Sequence, residues 1–146
     1  AISGLFMDPI YDSFPNSSSG DLTGTMPSNI SENTISSTIT WNLNFNNWDG
    51  YLRLSHLYAS EAKLLENPVW QATLENAGNG LKAQDTINFS AGIEKDNLSI
   101  TIWGKNINDD KYLISAFPAV ADPTFTTFFG YPNAYSSYGA TLNYRF

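Results

Sequence analysis

The sequence predicts an all-β fold, an antiparallel up-and-down meander of about five strands. Three observations predict it. Apolar and uncharged polar residues alternate strictly through several segments. Tight turns and long loops take turns as the connections between those segments. Charged residues make up only 14% of the chain and aromatic residues also 14%, whereas charges alone are about a quarter of an ordinary soluble domain.

The first clear strand covers about 34–45, with Ile35, Ile39, Trp41, Leu43 and Phe45 on one face and Ser36, Thr38, Thr40, Asn42 and Asn44 on the other. A helix would scatter these residues around its axis. Asn46-Asn47-Trp48-Asp49-Gly50 reads as a short turn, and a second strand follows over about 51–60. It puts Leu52, Leu54 and Tyr58 opposite Arg53 and Ser55, so the two strands make a hairpin. Residues 61–83 are mixed: Glu61 to Glu66 has helical character, Asn67-Pro68 interrupts it, and Asn76 to Gly80 is loop-like. The third strand, about 85–94, alternates Ile87, Phe89, Ala91 and Ile93 with Thr86, Asn88, Ser90 and Gly92. Lys95-Asp96-Asn97 turns the chain into a fourth strand, about 98–105. Residues 106–133 read as a long unstructured stretch containing Pro118, Pro123 and Pro132. The last strand aligns Tyr138, Ala140, Leu142, Tyr144 and Phe146 on one face. Residues 1–33, rich in Ser, Asn, Pro, Gly and Asp, read as a loop, with 2–7 as the possible end of an earlier strand.

Few charges, many aromatics and one apolar face per strand suit a wall between lipid and water. Strands of about 8–12 residues match the roughly 9–11 that cross a bilayer at a tilt. No run approaches 18 apolar residues, which excludes a transmembrane helix but not barrel strands. The net charge of −7 and scattered basic residues argue against nucleic acid as a partner. There is no cysteine, hence no disulfide framework or thiolate site. The chain begins at Ala1 with no signal-peptide pattern, which reads as a processed chain or a fragment.

The most informative residues are the last. Tyr138-Gly139-Ala140-Thr141-Leu142-Asn143-Tyr144-Arg145-Phe146 resembles the terminal assembly signal of outer-membrane proteins, with Gly139, Leu142, Tyr144 and Phe146 carrying the resemblance. Upstream, Trp103-Gly104-Lys105-Asn106-Ile107-Asn108-Asp109-Asp110-Lys111-Tyr112 resembles the penultimate-strand motif of TonB-dependent receptors. It departs from that motif at Ile107, where Leu is usual, and at Asn108, where Thr is usual. Asp21 to Pro27 resembles a loop preceding a descending strand in the same family, so the likeness runs over about 21–146. It implies the C-terminal part of a 22-stranded transmembrane β-barrel whose lumen holds a plug. In that frame 1–33 is an extracellular loop and 34–146 the last five strands. The turns at 46–50 and 95–97 face the periplasm, and 61–83 and 106–134 lie outside the cell. The implied function is TonB-energised uptake of a scarce nutrient such as a ferric siderophore, in a Gram-negative outer membrane. The implied partners are outer-membrane lipid, the TonB complex through the plug, the barrel assembly machinery through the last strand, and a small-molecule ligand.

No catalytic residue, cofactor site or metal site is expected. His56 is the only histidine and has no obvious partner. Asp109 and Asp110 are adjacent, so their side chains point apart and suit a solvated loop. Asp8, Asp12 and Asp21 match no cation-loop spacing. The aromatic loop from Phe117 to Tyr135, in particular Phe125, Phe128, Phe129 and Tyr131, is the candidate ligand surface by ring stacking. Packing between loops is the plainer reading of the same residues. Two other functions fit the pattern: a passive porin-type barrel, and a soluble β-sandwich carbohydrate-binding module. The sandwich predicts a dry core between two apolar faces. The barrel predicts one continuous open face through Ile39, Trp41, Leu43, Ile100, Leu142 and Tyr144.

Overall fold

The computed structural model describes residues 1–124 and 126–146. In chain order the elements are β1 (Ile2–Phe6), β2 (Asn33–Phe45), β3 (Trp48–Ala59), α1 (Pro68–Asn76), β4 (Gln84–Lys95), β5 (Leu98–Lys105), β6 (Leu113–Pro118), β7 (Phe128–Pro132) and β8 (Ser137–Tyr144). Among the described residues they form an antiparallel six-stranded sheet, ordered β1-β2-β3-β4-β5-β8, and a separate β6-β7 hairpin. The sheet follows sequence order, as expected of a meander. It holds one strand more than the five anticipated, and 1–33 is therefore not wholly loop. β1 pairs along the first half of β2, from Ile2↔Ser37 to Phe6↔Asn33. Five residues beside a run of turn formers offer too few alternations to read firmly.

Both tight turns are two-residue turns in which left-handed backbone matches strand twist. Asn46 and Asn47 carry φ of 50° and 65°, so Phe45 pairs directly with Trp48. Asp49-Gly50, which reads as turn in the sequence, lies inside β3. At the second turn Asp96 has φ 51° and Lys95 pairs with Leu98.

The long connections 7–32, 60–83 and 106–136 gather at the opposite end of the sheet. Two contain structure that the sequence pattern conceals. Pro68 does not interrupt a helix; it begins one. Asn67 is the N-cap, its side chain accepting hydrogen bonds from Val69 N (3.0 Å) and Trp70 N (3.2 Å). Proline at the first turn loses nothing, because the N–H it lacks has no helical partner there. The segment 61–66, helical in appearance, is not helical. In the third connection β6 and β7 pair from Leu113↔Pro132 to Pro118↔Phe128, with a bulge at Leu113/Ser115. Pro118 and Pro132 sit at strand ends, where no ladder donor is lost.

The buried apolar cluster lies in these connections rather than between sheets. Leu65, Leu74 and Ala116 are its centre, with Leu64, Trp70 and Phe128 packed around them. Gln71 organises it: its carbonyl accepts from Leu64 N and Leu65 N, both at 3.0 Å, and its amide donates to Glu75 Oε1 (2.7 Å) and Gly80 O (2.8 Å). Glu66 ties the first connection to the second, accepting from Tyr11 OH (3.0 Å) and Ser28 N (2.6 Å). Partial burial pushes the Glu66 carboxyl up, but these donors outweigh it and hold its pKa below the usual value.

Candidate functional site

Strand register assigns every sheet residue to one of two faces, because cross-strand partners share a face. One face is a continuous apolar band. Its rows run Ile39-Leu54-Phe89, Trp41-Leu52-Ala91-Ile102-Ala140 and Leu43-Gly50-Ile93-Ile100-Leu142. Among the described residues nothing covers it: Ile39 is 68% exposed, Trp41 71% and Leu142 68%. The only ionisable side chains on this face other than Tyr are His56 and Asp85 near the loop end and Lys95 at the turn end. His56 stands opposite Ile87, so the stretch between ionisable rows on β4, from Ile87 to Lys95, is eight residues. That is about 27 Å along a strand and about 21 Å along the normal at a tilt of roughly 40°. A barrel's lipid-facing band is about 25 Å tall. The turn end of the band is lined by Phe45, Trp48 and Tyr144, with the Lys95 ammonium 5.7 Å from the Trp48 ring centre.

The other face is polar, carrying Thr38, Thr40, Asn42, Arg53, Ser55, Asn88, Ser90, Thr101 and Thr141, with Leu57 among them. Two aromatic rings occupy the space above glycines directly across the strand pairing. Tyr51 covers Gly92 and Trp103 covers Gly139. A third pair, Tyr138 over Gly104, stands on the apolar face.

The motif after β5 turns out to finish the sheet. β5 pairs with β4 only from Phe89 onward, which leaves the start of β4 with an open edge. The loop closes it. Ile107 N donates to Ile87 O (2.8 Å), and Ile87 N donates to Asn108 Oδ1 (3.0 Å). The Asn108 amide donates to Asp85 O, and Asp85 N donates to Asp110 Oδ2 (2.7 Å). Asn106, almost fully buried with φ 49°, donates to Asp110 O and Ala134 O, both at 2.9 Å. Asp109 and Asp110 do point apart, but only Asp109 is a solvated carboxylate. Lys111, 2.9 Å away, holds Asp109 below its usual pKa. The Asp110 side chain is 11% exposed and also pairs with Lys82 at 3.0 Å.

Of the candidate ligand aromatics, Phe125 lies outside the described residues. Phe128 is partly buried against the loop cluster. Phe129 and Tyr131 are more than half exposed and close on Phe117, with ring centres 5.4 Å and 5.8 Å away. The hairpin tip is pinned by Asp122. Its carboxylate accepts from Thr124, Thr126 and Thr127, and the Thr124 hydroxyl and amide hold its pKa well below the usual range. In the terminal strand Leu142 and Tyr144 belong to the apolar face, Gly139 to the polar face, and Phe146 meets Tyr144 edge-on at 5.2 Å.

His56 has a partner that sequence spacing did not reveal, since Asp85 Oδ1 lies 2.6 Å from Nε2. Among the described residues no hydroxyl hydrogen-bonds that imidazole, and no group of three or more His, Cys, Asp or Glu is arranged to hold a metal. This chain matches no protein-family model, no curated protein and no solved structure.

Proposed function

We propose that this chain is part of the wall of an outer-membrane β-barrel in a Gram-negative bacterium, and that the barrel is an active transporter of the TonB-dependent receptor kind. The observation that carries the wall is the uncovered apolar band, free of ionisable side chains over most of the height of a barrel's lipid-facing band and bounded by ionisable or aromatic residues at both ends. In water such a band would be a large aggregation-prone patch. A self-contained sandwich would cover it with a second sheet, and among the described residues no second sheet lies over it. The outer edge of β8 has no partner there either. Lipid tolerates no open edge, and single-chain membrane barrels begin at 8 strands, so further strands must complete the wall.

The finer reading rests on the resemblance of residues 103–112 and 138–146 to receptor motifs. In it, the long connections face the medium and the exposed Phe117, Phe129 and Tyr131 rings meet the ligand, an organic nutrient carrier such as a ferric siderophore. The barrel assembly machinery reads the last strand, and TonB acts through a plug in the lumen. The chain has no cysteine, so single cysteines report cleanly. Cysteines at Trp41, Ile102 and Leu142 should resist a membrane-impermeant maleimide in intact outer membranes, while Asn42, Thr101 and Thr141 react from the lumen. Equal labelling of both sets would end the wall reading. Ligand uptake should stop when the proton-motive force is dissipated; uptake that persists identifies a passive porin instead.

A further inference from the structure

The chain has seven basic side chains against fourteen acidic ones. Lys82 and Lys111 are ion-paired, with Asp110 and Asp109. Arg53 and Lys105 are placed differently. Both line one cavity of about 270 Å³ on the polar face, and among the described residues neither makes an ion pair. Both contact neutral groups. Arg53 Nε donates to Thr40 Oγ1 (3.2 Å) and its guanidinium stands 6.0 Å from the Tyr51 ring centre. The Lys105 ammonium stands 5.5 Å from the Trp103 ring centre. Ser55, Asn88 and Ser90 add polar groups to the lining, and Phe89, Trp103 and Gly104 the rest. The Asn88 carbonyl is occupied by Asn106 N at 2.9 Å, which turns its amide nitrogen into the available group. The cavity thus collects donors and two positive charges, and no carboxylate lines it.

We propose that this cavity binds the carboxylate of a small anionic solute on the polar face of the sheet. Arg53 supplies a planar fork for a carboxylate, and Lys105 a second charge in the same lining. The Trp103 ring, seated on Gly139, makes a rigid wall beside them. The proposal deepens the transport reading, and rests on it for calling this face the lumen.

Trp103 makes the site observable. In the whole purified barrel, the fluorescence lost on Trp103→Phe isolates its signal. The iodide-to-caesium ratio of that quenching should exceed the ratio for free N-acetyltryptophanamide severalfold, and citrate should protect the signal from iodide. Arg53→Gln or Lys105→Gln should weaken citrate protection by about tenfold or more, the loss of one charge-assisted contact. An iodide-to-caesium ratio no higher than that of free N-acetyltryptophanamide, or citrate protection unchanged in both variants, overturns the site. Heat-modifiable gel migration confirms that each variant is folded. Anion preference in a protein that fails the maleimide test would sink the transport reading alone, whereas a correctly labelled wall without the preference sinks this site alone.

Discussion

At the scale of single residues, the strongest commitments are polar side chains doing the work of a strand. Asn108 and Asp110 satisfy backbone groups of β4 that no neighbouring strand reaches. Removing Asp110 leaves the Asp85 amide without its acceptor and Lys82 without its counter-ion. Asp110→Ala should therefore cost about 1 kcal/mol, the net worth of the hydrogen bond lost. Asp109→Ala, whose ion pair with Lys111 is exposed, should cost much less. Urea unfolding of the two variants side by side checks the contrast, and equal losses would refute the strand-like role. Asp122 makes a prediction in pH. Its folded pKa is depressed, so the stability it contributes is complete above the unfolded value of 3.8. That contribution declines as pH falls below 3.8 and is lost only below the still lower folded pKa. Protease cleavage at the hairpin tip should stay slow at pH 5 and accelerate only in strong acid; Asp122→Ala should make the tip labile at neutral pH.

At the scale of elements, what was readable depended on whether the signal was local. β2, β4, β5 and β8 showed in the sequence because alternation over eight or more residues survives without knowledge of partners. α1 did not, because Pro68 breaks a helix in most positions and begins one only after a cap such as Asn67. The β6-β7 hairpin was hidden by prolines that turn out to lie at strand ends. The glycine–aromatic pairs were invisible for a different reason. Gly92 follows Tyr51 by far more than a turn, and only the register brings them opposite. These pairs offset the weakness that glycine brings to a strand, since a ring lies where a side chain is missing. At Gly139 an added Cβ would strike the Trp103 ring. Gly139→Ala should destabilise by about 1–3 kcal/mol through overpacking. Gly139→Ala in a Trp103→Ala background should cost markedly less. Additive losses in that double-mutant cycle would show that ring and glycine do not support one another.

At the scale of the whole molecule, the two faces were legible before the cavity was. Alternation alone separated Ile39, Trp41, Leu43, Ile100, Leu142 and Tyr144 from their polar neighbours, and register places all six on one open side. The aromatic loop was only half legible: Phe129 and Tyr131 are exposed, but a run of rings does not say that Phe128 packs against the loop cluster. Arg53 and Lys105 sit on β3 and β5, and no spacing in the chain reveals that they share a cavity. The medium around the band decides between wall and globule, and adjacent positions on β5 test it. Ile102 lies mid-band between Ala91 and Ala140, while Thr101 lies on the polar face between Gly92 and Thr141. If lipid surrounds the band, Ile102→Arg places a charge near the bilayer midplane and should cost about 2–4 kcal/mol. Thr101→Arg, facing a watery lumen, should stay within about 0.5 kcal/mol of the parent. If the band faces water, Ile102→Arg removes an exposed apolar side chain and should be as harmless as Thr101→Arg. Reversible urea titration of both variants refolded into lipid vesicles measures the difference directly, and a null difference would leave the bilayer with no part in holding this sheet together.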